Sequence, residues 1–184
     1  METLAEIDIR QALTEAARGD RDAFGVLVRA HQSMVFSLAY HSTGDVSEAE
    51  ELSQDVFLEL FRNLKSIETP AHLTFWLRKV ASRKCIDWAR RERMRPKIAL
   101  ENVPEPAAPE RSSDALLSET LRKLVGSLPD SQRAIVILRF QEEMEPVGIA
   151  EVLGIPVNTV KSSLHRSLAL LREKLERAGK VVSL

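Results

Sequence analysis

Apolar residues recur at steps of three and four through most of this 184-residue chain, and no stretch alternates β-branched with polar residues long enough to pair as a strand. That period dictates an all-α fold. One segment breaks it. Pro96, Pro104, Pro106 and Pro109 interrupt residues 96–115, where Ile98, Leu100 and Val103 supply the little apolar content, so this segment reads as a flexible linker. Two small helical domains are expected on either side, over residues 1–95 and 116–184, each near the size at which one core is only marginally stable. Twenty residues fully extended reach at most about 70 Å, roughly two turns of B-DNA at about 34–36 Å per turn. Modules joined this way can occupy separate DNA segments.

Within the first module the pattern gives helices over about 9–18, 22–40, 47–64 and 73–93. Ser47 is the expected cap of the third, with Glu50 at the capping-box spacing. Residues 65–72, which contain Pro70, read as a loop. Helical pattern resumes near Leu116 and continues to about Ala178.

Charge is distributed unevenly. The chain carries a formal net charge of −1, which taken alone argues against nucleic-acid binding. Residues 1–68 hold 6 basic and 13 acidic side chains, whereas residues 69–97 hold 9 basic and 2 acidic ones. The average hides two opposite surfaces, and such asymmetry is the informative form of charge evidence. On the third helix Glu48, Glu51, Asp55 and Glu59 make one acidic stripe beside the apolar stripe Ala49, Leu52, Val56 and Leu60. Like charges stacked at that spacing destabilise an isolated helix by a few tenths of a kcal/mol per pair, a cost that a basic partner would offset. The fourth helix carries Arg78, Lys79, Arg83, Lys84, Arg90 and Arg91, suited to a phosphate backbone. Trp88 lies among them and could stack on an unpaired base, as could Phe75 and Trp76, although aromatics at helical spacing are more often core.

The second module has the sharper local signature. Leu128-Pro129 opens a helix bearing Ile135, Val136, Leu138 and Phe140, and a short helix over 146–153 ends at Gly154-Ile155-Pro156. Glycine there suits a left-handed cap, and Ile155 can plug the corner between two helices. The long helix that follows has Val160, Leu164, Leu168, Leu171 and Leu175 as its expected buried stripe. Its other face begins with Asn158, Thr159, Lys161, Ser162, Ser163, His165 and Arg166, groups that match base edges and phosphates in a major groove. This is a helix-turn-helix, and by itself it fits many DNA-binding regulators, with residues 1–95 serving as a sensor or dimerisation domain.

Other classes find no support. There is no phosphate-binding glycine loop and no nucleophile elbow, and His31, His41, His72, His165 and Cys85 show no metal-ligand spacing, so no enzyme, metal or cofactor is expected. The single cysteine excludes an internal disulfide framework and fits a reducing cytoplasm. METLAEIDIR lacks the pattern of a secretory signal, no apolar run approaches a bilayer's thickness, and no membrane contact is expected.

The motifs together resemble one family. EAEELSQDVFLELF (48–61), FWLRKVASRKCIDWARRERMR (75–95), LPDSQRAIVILRF (128–140) and IAEVLGIPVNTVKSSLHRSLALLREKL (149–175) are similar, in order and spacing, to the conserved segments of extracytoplasmic-function (ECF) sigma factors of the sigma-70 superfamily. The resemblance implies a region 2 helical bundle and a region 4 helix-turn-helix, core RNA polymerase (the β′ clamp helices and β) and promoter DNA as partners, and control by an anti-sigma factor. It assigns Glu48, Glu51, Gln54, Asp55 and Glu59 to polymerase binding. It places Arg78, Lys79, Arg83, Lys84, Trp88, Arg90 and Arg91 on the −10 element, with a base pocket in the loop over 65–72. Asn158 to Arg166 fall to the −35 element. Three positions depart from the family pattern: Arg83 stands where many members have Asn, Gly148 where Glu is usual, and Ser163 where Arg is frequent.

Overall fold

The computed structural model describes residues 4–94 and 113–182, with side chains described over 8–94 and 120–177. Every regular element among the described residues is helical: α1 (Leu4–Ala17), α2 (Arg21–Thr43), α3 (Val46–Asn63), a 3₁₀ turn (Leu64–Ser66), α4 (Pro70–Met94), α5 (Ser113–Gly126), α6 (Asp130–Phe140), α7 (Pro146–Leu153) and α8 (Val157–Val182). Most of the expected linker, residues 95–112, lies outside the described residues, and the helical pattern returns three residues earlier than expected.

The helix ends follow from local chemistry. Gly44 adopts φ 75° and closes α2 by donating its N–H to the Tyr40 carbonyl. The chain then reverses at once, so the cap of α3 is Asp45, whose Oδ1 accepts from Glu48 N at 3.0 Å, and Ser47 is already inside the helix. The expected loop over 65–72 shrinks for a related reason. Pro70 opens α4, where its missing N–H costs nothing, and Thr69 Oγ1 accepts from His72 N at 3.1 Å. Only residues 67–69 separate the 3₁₀ turn from α4, and Ile67 is itself buried.

Three helices build the centre of the first module. Leu27 from α2, Leu60 from α3 and Leu73 and Leu77 from α4 are fully buried, and truncating any one to alanine costs about 2–5 kcal/mol. In the second module Ile135 and Leu138 of α6 meet Ile149 of α7 and Val160 of α8. Gly154, at φ 66°, turns the chain between α7 and α8, and half-buried Ile155 packs into the corner. The two modules close on each other, α4 packing on α6 and α7 while α2 packs on α5 and α6.

One apolar stripe differs from its sequence expectation. Leu168 is 45% exposed, whereas Ser163 and Ser167 are buried beside Val160. The small side chain at 167 lets α8 approach α6, where Ser167 Oγ donates to Gln132 Oε1 at 3.2 Å. The buried face of α8 therefore runs through Val160, Ser163 and Ser167, with Leu164, Leu171 and Leu175 half-buried beside it and Leu168 outside.

Candidate docking and nucleic-acid surfaces

Helix α3 presents Glu51, Gln54 and Asp55 to solvent, with Glu48 and Glu59 half-buried at its side. The acidic stripe and the basic helix touch. Lys84 Nζ lies 3.2 Å from Glu59 and 3.6 Å from Asp55, and Trp88 Nε1 donates to Glu48 at 2.7 Å. Lys84 and Trp88, both assigned to DNA from the sequence, thus join α4 to α3. Charge alone could not reveal this, because a cation spaced for phosphate is also spaced for a neighbouring carboxylate.

Beside the acidic stripe runs a feature that the sequence reading missed. Helices α2 and α3 flank an open groove of about 1080 Å³, lined by Phe24, Val28 and Phe36 on one side and Gln54, Leu58 and Phe61 on the other. Phe61 and Leu58 are 51% and 54% exposed, and the Phe24 and Phe61 rings meet edge-on at 5.2 Å. A signal existed in the sequence. Glu50, Gln54, Leu58 and Phe61 recur at helical steps just off the buried stripe, placing two large apolar groups where none is needed for the core.

On α4, Lys79, Arg83 and Arg90 fall on one exposed face, and Arg91 is exposed beside them. Arg83 is 81% exposed, with Asp87 at 3.9 Å as a loose partner. Arg78 faces the second module and is held by Glu142. Phe75 and Trp76 are half-buried against the core, as their spacing suggested. Cys85 is buried, its Sγ donating weakly to the Leu38 carbonyl at 3.9 Å. Burial pushes its thiol up to about 11, against smaller opposing effects of a Ser42 hydrogen bond and the nearby Arg133 charge.

At the start of α8, Asn158, Thr159, Lys161, Ser162, His165 and Arg166 are exposed together, whereas Ser163 is 6% exposed. Ser163 is therefore a packing residue, a small side chain standing where arginine is frequent in the family. Gly148 likewise has a neighbour. A Cβ at that position would stand 3.2 Å from the Met144 methyl.

No described helix is long and apolar enough to cross a membrane. The sequence model of Sigma-70 region 2 matches residues 27–95, and that of Sigma-70, region 4 matches residues 118–171. The ECF RNA polymerase sigma factor SigW of Bacillus subtilis is 29% identical over 92% of this chain and 98% of its own length. The RNA polymerase sigma-E factor of Streptomyces coelicolor is 31% identical over 83% of this chain and 85% of its own. In fold, the chain is similar to the sigma factor RpoE solved in complex with the anti-sigma factor NepR from Bartonella quintana, with a TM-score of 0.65, 21% identity, and coverage of 83% of this chain and 96% of that one. With both regions matched in order and a relative above 30% identity matched over most of its length, the chain belongs to the sigma-70 family of RNA polymerase sigma factors, in its extracytoplasmic-function group.

Proposed function

We propose that α3 holds core RNA polymerase while α4 and α8 hold the two promoter elements, so that the chain directs the polymerase by positioning alone and catalyses nothing itself. The reading is carried by one observation: the apolar groove beside the acidic stripe of α3 is lined by no residue of α4, whose Lys79, Arg83 and Arg90 are exposed. Glu51, Gln54 and Asp55 supply the polar part of the polymerase contact, and Leu58 and Phe61 supply buried apolar area on docking. Lys79, Arg83, Arg90 and Arg91 hold the −10 backbone, joined by Arg78 when it is free. Asn158, Thr159, Lys161, Ser162, His165 and Arg166 read the −35 duplex from the N-terminal turns of α8, the end of a recognition helix that enters the major groove.

The polymerase and its template set the compartment as the cytoplasm, and an anti-sigma factor holds the chain inactive until it is needed. The RpoE–NepR complex supports that regulation by similarity of fold. Replacing Glu51 and Gln54 by lysine puts positive charge on exposed positions without touching the core or the Lys84 contacts between α3 and α4, so the helix survives. The double variant is expected to lose co-elution with core polymerase. Undiminished co-elution would refute the docking assignment.

A further inference from the structure

Lys84 and Trp88 stand one turn apart on α4, about 6 Å along its axis, and carboxylates of α3 hold both. Trp88 Nε1 donates to Glu48 at 2.7 Å, which uses the only donor an indole has. Its ring packs on the cluster formed by Ala39, Ala49, Leu52 and Cys85. Lys84 Nζ lies 3.2 Å from Glu59 and 3.6 Å from Asp55, and its side chain is 24% exposed. Arg83, its neighbour in sequence but about 100° round the helix, is 81% exposed. Glu48 and Glu59 lie about 16 Å apart along α3, and the later residue of α4 meets the earlier one of α3, so the two helices run antiparallel. Anchors spaced in this way oppose both sliding and rolling of α4 on α3. Ala39, Ala49 and Cys85 are small, so the apolar cluster beside the anchors lets the helices approach closely but supplies few ridges to fix their register.

We propose that Lys84 and Trp88 are positioning residues for promoter capture: they touch neither DNA nor polymerase, and they fix the angle at which α4 presents Lys79, Arg83 and Arg90 to DNA while polymerase holds α3. The proposal rests on the assignment of α3 to polymerase and α4 to DNA. An ammonium shared by two carboxylates already has its charge balanced, so Lys84 adds nothing to the neutralisation of phosphates. What the exposed cations gain from it is aim. An arginine fork depends on orientation for its paired hydrogen bonds to phosphate, and a roll of α4 would misdirect several cations at once. Asp55 faces both polymerase and Lys84, so docking and strand capture meet at one side chain.

The test measures binding of the assembled holoenzyme, at saturating core polymerase, to a promoter fragment recovered by footprinting the chain on its host genome. Saturation keeps any loss of assembly out of the reading, and thermal melts place every variant well below its unfolding temperature. Trp88→Phe keeps a ring that could stack on a base but removes the N–H. It is expected to weaken promoter binding about fivefold, and under about twofold when Glu48 is already glutamine, the non-additivity of residues that share one contact. Lys84→Met should likewise cost less in a Glu59→Gln background than in the wild type, and Lys84→Arg should restore wild-type affinity. A general loss of stability does not produce that pattern. Lys84→Met equally damaging with and without Glu59→Gln, or Trp88→Phe harmless in both backgrounds, overturns the positioning role. Arg83→Met, run alongside, tests the assignment beneath it. Weaker promoter binding by this variant keeps α4 on DNA whichever way the cycles fall, whereas unchanged binding overturns that assignment and the positioning role with it.

Discussion

Truncating Phe61 to alanine separates docking from folding, because its ring is half in the structure and half out. A phenylalanine buries about 150–250 Å² when fully covered, and with Phe61 51% exposed about 100 Å² remains for a partner to cover. At roughly 25 cal/mol per Å² that area contributes about 2.5 kcal/mol to docking, or about 70-fold in Kd. This is an upper bound, since ordering side chains at an interface offsets part of it. The cost to the fold is smaller. The ring's main aromatic neighbour is Phe24, edge-on at 5.2 Å, and such a pair contributes about 0.5–1.5 kcal/mol beyond its area. The assay is a titration of N-terminally labelled chain with core polymerase, well below the melting temperature of either form, alongside thermal melts. Weakening of ten- to seventyfold in a still-folded protein is expected. A change under about threefold would mean that the groove is not part of the polymerase contact, whatever its exposed apolar area suggests.

Other outcomes follow from the same geometry. Ser167→Leu forces a large side chain between α8 and α6 and should cost about 1–3 kcal/mol, while Leu168→Ser on the neighbouring exposed position should cost much less; melts that rank the two in the opposite order would reverse the assigned buried face of α8. Arg166→Ala should reduce the salt slope for DNA binding by about one and leave polymerase affinity unchanged, measured by anisotropy and by the titration above. Cys85 should make the fold sensitive to alkali. Its thiol is raised from 9.0 to about 11 by burial, so above pH 9 the unfolded chain releases a proton that the folded one retains. Stability from this group is complete below pH 9 and is lost as pH rises through 11, by roughly 2–3 kcal/mol. Denaturant midpoints of the wild type and Cys85→Ala between pH 8 and 11 should diverge accordingly; parallel profiles would contradict the burial.

Much of the fold was legible because each element announces itself locally. The 3.6-residue period, the Gly154 corner and the apolar residues of α6 needed no partner to be read. The misses all required knowledge of a neighbour. Asp45 and Ser47 are both competent caps, and the tight left-handed turn at Gly44 selects the first. Leucine spacing puts Leu168 on the buried stripe of α8, but Ser163 and Ser167 are buried instead, Ser167 against Gln132 of α6. The company of Lys84 and Trp88 on α4 suggests DNA contacts, and only the packing of α4 on α3 shows them held by Glu59, Asp55 and Glu48. The candidate surfaces were legible as elements more than as residues. Charge asymmetry singles out α3 and α4, but cannot say which cations α3 and the second module already hold.

The central claim is that this chain recognises a promoter as part of a polymerase and not alone. The most direct measurement is DNA binding on a promoter fragment, recovered by genomic footprinting of the chain in its host, with the chain alone, core polymerase alone and both together. A sequence-specific complex that forms with both, while the chain alone shows only weak, salt-sensitive binding, is the expected result. Full sequence-specific affinity from the chain alone, unchanged by core polymerase, would contradict the account and identify an ordinary helix-turn-helix regulator.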